Sequence, residues 1–149
     1  MRKLFYITIL MMVSAFAIGQ KSAGADDILG IWLTGSGKAH IRITKYGDKY
    51  GGKIIWLKEP NRADGSIKKD DKNPDPAKRS NTIMGLNNLL GFTYAGDKEY
   101  EGGSIYDPEN GKTYKCVIEQ TDNNTLKVRG YIGIQLIGRT DTWTRVIEK

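Results

Sequence analysis

The feature that most constrains this chain is a rhythm of short alternating segments separated by glycine-rich turns. Ala39 to Tyr46 puts Ile41 and Ile43 on one face and His40, Arg42 and Thr44 on the other, the period of a half-buried strand. Gly47-Asp48 turns the chain and Tyr50 to Lys58 returns as the partner strand, a hairpin by both turn chemistry and flanking alternation. Upstream, Gly30-Ile31-Trp32-Leu33-Thr34 is a short apolar strand that ends in Gly35-Ser36-Gly37. Downstream, Tyr100 to Asp107 is a strand interrupted by Gly102-Gly103, and Pro108-Glu109-Asn110-Gly111 makes a tight turn. Lys112 to Thr121 then alternates, with Tyr114, Cys116 and Ile118 on one face. After Asp122-Asn123-Asn124, Thr125 to Ile134 places Leu126, Val128, Gly130, Ile132 and Ile134 on a common face, and Thr140 to Ile147 is a closing strand.

Two segments break the rhythm. Residues 59–80 hold three of the four prolines and many charges, which makes them a long surface loop. Asn81 to Phe92 mixes helical and irregular apolar spacing and reads as one short helix or helical turn. The whole argues for an all-β fold: a small antiparallel up-and-down barrel of about eight strands with one short helical segment. Strand glycines fit that choice, because they mark bulges and barrel corners. A barrel of this size is filled by side chains or holds one small ligand.

The N-terminus is of another kind. Leu4 to Ile18 is fifteen residues without a charge, 13 of them apolar, preceded by Arg2 and Lys3. A spanning helix needs roughly 20 apolar residues, so these are the flanks and length of a secretory signal. Ala17-Ile18-Gly19 supplies a small-x-small cleavage site, so residues 1–19 are read as signal peptide and 20–149 as a single domain. With Arg2 and Lys3 removed, Lys+Arg falls from 23 to 21 against 17 acids, and net charge falls from +6 to +4. The expectation is an exported protein, periplasmic or secreted, and not integral to the membrane after cleavage. Cytosolic, multidomain and helical-membrane functions are excluded on this reading, and nucleic acid is a poor partner. Cys116 is the single cysteine, so no internal disulfide forms despite an oxidising compartment.

Two resemblances follow from these residues. Gly30-Ile31-Trp32 on the first strand with Arg145 on the last resembles the Gly-x-Trp and distant Arg of lipocalin-type (calycin) barrels. There the Trp plugs one barrel end and the Arg packs across it, which implies that Gly30, Trp32 and Arg145 form a structural barrel end. More extensively, GIWLT (30–34), GGKIIWLK (51–58), DDKNPDPAKRS (70–80), GGSIYDPENGKTY (102–114) and LKVRGYIGIQLIGRTDTWTR (126–145) resemble the bacterial exported family termed domain of unknown function 2147. That resemblance implies an exported single domain and carries no activity. Many relatives hold a Cys pair around the first hairpin; the matching positions here are Tyr46 and Gly51.

Chemistry-bearing constellations are sparse. His40 is the only histidine, no Gly-x-Ser-x-Gly elbow exists, and Cys116 alternates with Tyr114 and Ile118 as a buried, inert thiol does. No catalytic residues are therefore assigned. One His and one Cys cannot build a structural zinc site. Asp71-Lys72-Asn73-Pro74-Asp75 imitates the start of a calcium loop, yet Pro76 replaces its glycine and Thr82 its bidentate glutamate. No metal or cofactor is expected. Asp107, Glu101 and Asp141 lie near strand ends, but sequence brings no two of them together. Arg129 and Tyr131 share a face. Either they grip a carboxylate, resembling the Arg-x-Tyr pair of fatty-acid-binding barrels, or they face solvent opposite Leu126, Val128, Ile132 and Ile134. Trp56, Tyr114 and Cys116 are candidate apolar lining, with Trp143 as a further aromatic. The expected function is a non-enzymatic module binding a small apolar or lipid-like molecule, anionic in one version. The alternative is a filled barrel that meets a protein or envelope polymer through residues 59–80. An outer-membrane barrel would need lipid-facing alternation on every strand and longer strands than these.

Overall fold

The computed structural model describes residues 24–149; the signal peptide expected at residues 1–19, with cleavage after Gly19, lies outside the described residues. Eight strands follow in order: β1 (Gly30–Leu33), β2 (Ala39–Tyr46), β3 (Lys49–Leu57), β4 (Asn87–Gly96), β5 (Glu99–Asp107), β6 (Lys112–Asp122), β7 (Thr125–Tyr131) and β8 (Gly138–Arg145). Each pairs with the next and β8 returns to β1, so the sheet closes into an up-and-down barrel. All pairs are antiparallel, and the closing seam sets Trp32 opposite Arg145 and Leu33 opposite Thr144.

The segment expected to be helical is the correction. Residues 87–96 form β4, and among the described residues the helical content is one 3-10 turn, Pro76–Lys78, capped by the Asp75 carboxylate. Leu89 and Phe92, three apart, are both in the core, which imitates helical spacing. The cause is a kink shared with the neighbouring strand: Gly91 has φ 74° and Gly102 has φ 72°. β4 and β5 stay in register with each other across the kink, from Leu90 opposite Ser104 to Thr93 opposite Glu101. The irregularity passes instead to β3 and β6, between Tyr50 and Gly52 and between Tyr100 and Gly103. A second correction is that β7 stops at Tyr131, so Ile132 and Ile134 leave the inner face and become exposed.

The inner face is apolar and the outer face charged. Trp32, Ile41, Ile43, Tyr50, Ile54, Leu89, Phe92, Tyr100, Cys116, Ile118, Leu126, Val128 and Trp143 form one buried cluster with Ile28. Burial of each large side chain is worth ~1.5–3 kcal/mol. Arg42, Lys53, Glu101, Lys115, Glu119 and Lys127 point outward and are exposed, the reverse of the alternation in a transmembrane barrel. Among the described residues no helix is long and apolar enough to cross a membrane.

The β3–β4 connection is an ordered strap. Its Asp70 is buried and accepts from Tyr106 Oη (2.6 Å) and Asn73 Nδ2 (2.7 Å). Lys72 Nζ donates to the Glu109 carbonyl in the β5–β6 turn (2.7 Å), and Ile83 and Leu86 pack on the core.

Candidate functional site

The two ends of the barrel differ, and the difference locates the site. One end is sealed by the turn at residues 24–28. Ala25 and Ile28 are buried, and Tyr100 Oη donates to the Ala25 carbonyl (2.8 Å). Asp26 Oδ1 accepts from Tyr50 Oη (2.7 Å) and Lys45 Nζ (2.8 Å), while Trp32 Nε1 donates to the Ile28 carbonyl (2.8 Å). Arg145 lies over the Trp32 ring at 4.2 Å. Gly30 takes φ 131°, and a Cβ there would come 2.8 Å from Arg145 Nη1. Backbone C=O groups of the plug thus find donors on the barrel, as buried polar groups must.

At the other end the inner wall is only half-buried. Alternation and register put Ala39, Leu57, Ile105, Tyr114, Gly130 and Asp141 on the inner wall, and all six are only half-buried. Below them Cys116, Val128 and Trp143 are fully buried and form a floor. This half-buried ring is the candidate cup, its lining apolar apart from the Asp141 carboxylate and the Tyr114 hydroxyl. Gly130 widens it: a Cβ there would find Ile105 Cγ2 and Tyr114 Cβ at ordinary contact, 3.5 Å. Asp141 Oδ2 accepts from Trp143 Nε1 (2.7 Å) and Gly35 N (3.1 Å), which fixes one wall and closes the β1–β2 turn onto it. Arg139, opposite Gly130 and exposed, is the cation at the rim.

Of the residues singled out from sequence, Tyr114 and Cys116 are on the inner wall and floor. The Tyr114 hydroxyl accepts from Asn110 Nδ2 (2.9 Å). Burial alone pushes the Cys116 thiol up to about 12. Trp56 is on the outer face, 39% exposed, stacked on His40 at 4.3 Å. Arg129 and Tyr131 also face outward, opposite Val117 and Lys115. Arg129 spends its donors on the β7–β8 turn: Nε to the Gln135 carbonyl (2.7 Å), Nη2 to the Leu136 carbonyl (3.1 Å) and Nη1 to Thr140 Oγ1 (2.8 Å).

Leu57, Ile105 and Asp141 were missed as cup residues. Asp141 had a signal, since it is two before Trp143 on one strand and therefore shares its face. The three carboxylates near strand ends do separate work. Asp107 accepts from Glu109 N in its own turn (2.8 Å), Asp141 is held as above, and Glu101 faces outward. Asn73 and Asp75, in the segment resembling a calcium loop, accept from backbone N–H groups two residues on, at 2.9 Å and 3.0 Å, as Asx turns do. Among the described residues no group of three or more His, Cys, Asp or Glu is placed to hold a metal. Tyr46 and Gly51 do meet across the first hairpin, where the Tyr46 ring would contact a Gly51 Cβ at 3.5 Å.

Comparison with solved structures finds a lipocalin-like neighbour, "Protein HP1028 from the human pathogen Helicobacter pylori belongs to the lipocalin family". It is 27% identical and aligns over 80% of this chain and 83% of its own, with a TM-score of 0.69. No curated protein sequence matches. Residues 30–145, from the start of β1 to the end of β8, match the family described as "Uncharacterized protein conserved in bacteria (DUF2147)", and the chain belongs to that family.

Proposed function

We propose that this protein is a non-enzymatic binding module that takes a small, largely apolar molecule into the cup at the open end of the barrel. The observation that carries the reading is the gradient of burial along the inner wall. Residues toward the plug are fully buried, while Ala39, Leu57, Ile105, Tyr114 and Gly130 at the mouth keep apolar surface in contact with water. Covering such surface is the driving force of ligand binding in barrel mouths. The lipocalin-like fold supports it, as does the cation Arg139 at the rim, which favours a ligand with an anionic group. Tyr114 is the contact carried over from the sequence, with Cys116 buried in the floor beneath it, and Trp56, Arg129 and Tyr131, on the outer face, take no part.

The test is titration with 1-anilinonaphthalene-8-sulfonate, an apolar anion, and with an uncharged apolar dye. Wild type shows saturable binding of both. Gly130→Leu fills the cup and weakens both by about tenfold or more, a loss of ~1.4 kcal/mol, with circular dichroism unchanged. Arg139→Ala weakens the anion alone. Binding that is unsaturable, or indifferent to Gly130→Leu, overturns the reading. It would favour the second one, an interaction module with a filled barrel, for which the packed lower interior and the strap at residues 59–80 speak.

We further propose that the protein is exported to the periplasm or beyond and begins at Gln20. Intact mass of the form recovered from the cell envelope tests this. A mass that retains residues 1–19 refutes the cleavage.

A further inference from the structure

The β7–β8 turn exposes four large aliphatic side chains in six residues: Ile132 (70%), Ile134 (58%), Leu136 (85%) and Ile137 (72%). Single exposed apolar residues are ordinary, but a cluster of this kind on a turn marks an interaction site. The turn is also built in a particular way. The Gln135 and Leu136 carbonyls accept from the Arg129 guanidinium, and Ile137 N donates to the Ile134 carbonyl (3.2 Å). Three carbonyls and one N–H of the tip backbone thus have partners within the protein, while the hydrocarbon faces outward. A partnered carbonyl costs less on approaching a lipid layer than a bare one.

The surrounding charge points the same way. Between Asp122 and Asp141 there is no acidic residue, and the cations in that span are Lys127, Arg129 and Arg139. Lys115 stands opposite Tyr131 at the base of the turn, so a half-buried tyrosine and two exposed cations, Lys115 and Arg139, ring the aliphatic tip. Aromatic and basic residues around an apolar tip suit the interface of an anionic bilayer. The nearest acid along the ladder is Asp141, opposite Val128 on the inner face and engaged by Trp143 Nε1 and Gly35 N; Glu99 and Glu119 share the next rung, with Lys127.

We propose that the β7–β8 turn docks this protein on anionic lipid, inserting Ile132, Ile134, Leu136 and Ile137 between headgroups while Lys115 and Arg139 meet the phosphates. The proposal goes beyond the cup reading and does not need it. The test uses the chain from Gln20 onward, which contains every strand of the barrel, sedimented with vesicles of phosphatidylglycerol and phosphatidylcholine. Wild type binds these at low salt, and binds pure phosphatidylcholine vesicles more weakly. Leu136→Ser/Ile137→Ser weakens binding by about tenfold or more, whereas Gly130→Leu binds vesicles as wild type does. That last variant keeps failure of the cup reading apart from failure of this one. Equal binding by wild type and the double variant, or none by either, overturns the proposal. So does a concentration-dependent dimer that forms without lipid and that the same substitutions abolish, because a second copy would then be what covers the turn.

Discussion

The Arg145 guanidinium rests on the Trp32 indole at 4.2 Å and also donates to the Leu29, Asp27 and Asn123 carbonyls, at 2.8, 2.6 and 2.6 Å. One side chain on the last strand thus fastens the plug, the first strand and the β6–β7 turn. A buried cation–π contact is worth ~1–2 kcal/mol and each net hydrogen bond ~1 kcal/mol. Arg145→Ala is expected to lower stability by about 3 kcal/mol, roughly 10 °C in melting temperature for a domain of this size. Arg145→Lys recovers less than half, because a single ammonium cannot reproduce the planar fork. Calorimetry decides; a drop below about 1 kcal/mol would mean that Trp32 holds the plug unaided.

Gly103 and Gly130 predict opposite outcomes for the same substitution. The Phe92 ring lies 2.5 Å from where a Cβ on Gly103 would sit, whereas the nearest atoms to one on Gly130 are at 3.5 Å. Gly103→Ala should cost about 2–3 kcal/mol through overpacking, while Gly130→Ala should change stability by less than about 1 kcal/mol. Urea midpoints measure both.

That contrast also shows what the sequence carried and what it did not. Seven strands were legible from their turns and apolar patterning, most plainly where inner and outer residues alternate, as Ile41, Ile43 and Leu126, Val128 do. β4 was not, because the extra residue at Gly91 puts Leu89 and Phe92 on one side at a spacing of three. Alternation alone cannot separate such a bulge from a helical turn. Tyr114 and Cys116 were placed correctly relative to each other by the same period. The cup could not be read, because it depends on how deep the plug and the aromatic side chains reach into the barrel. Nor could the strap, since the Asp70–Tyr106 bond joins residues 36 apart.

Alkaline pH should unfold the protein earlier than exposed groups alone would. Burial raises the Cys116 thiol from 9.0 to about 12. Tyr106 rises from 10.0 to about 12, by burial first and then by its bond to Asp70. Each folded-state value lies above the unfolded one, so the stabilisation is complete below the unfolded value and is lost as pH climbs through the folded one. The window is pH 9 to 12 for Cys116 and 10 to 12 for Tyr106. Cys116→Ala should flatten the fall in denaturant midpoint that begins near pH 9. At neutral pH, a thiol reagent should label native Cys116 only as fast as the barrel opens.

Tyr106→Phe removes one of two donors to the buried Asp70 carboxylate, a loss of ~1–3 kcal/mol. The effect should be local. Trypsin should cut at Lys78 and Arg79 faster than in wild type, while the melting of the barrel moves little. Equal digestion of both proteins would show that Asn73 and Lys72 hold the strap without the tyrosine.

The seam between β1 and β8 joins residues 113 and 111 apart and is registered only by Trp32 with Arg145 and Leu33 with Thr144. Apart from β3–β4, which the strap connects, every other strand pair is a hairpin that forms from near neighbours, so the order of assembly is largely written into the topology. Closure waits for the last strand to leave the ribosome, and it cannot be made early by any shorter piece of the chain. Contacts of such span place folding in the slow range, milliseconds to seconds. Until closure, the aromatic interior is an open, curved sheet with two free edges, and it is in that interval that the protein is most exposed to pairing with another copy of itself.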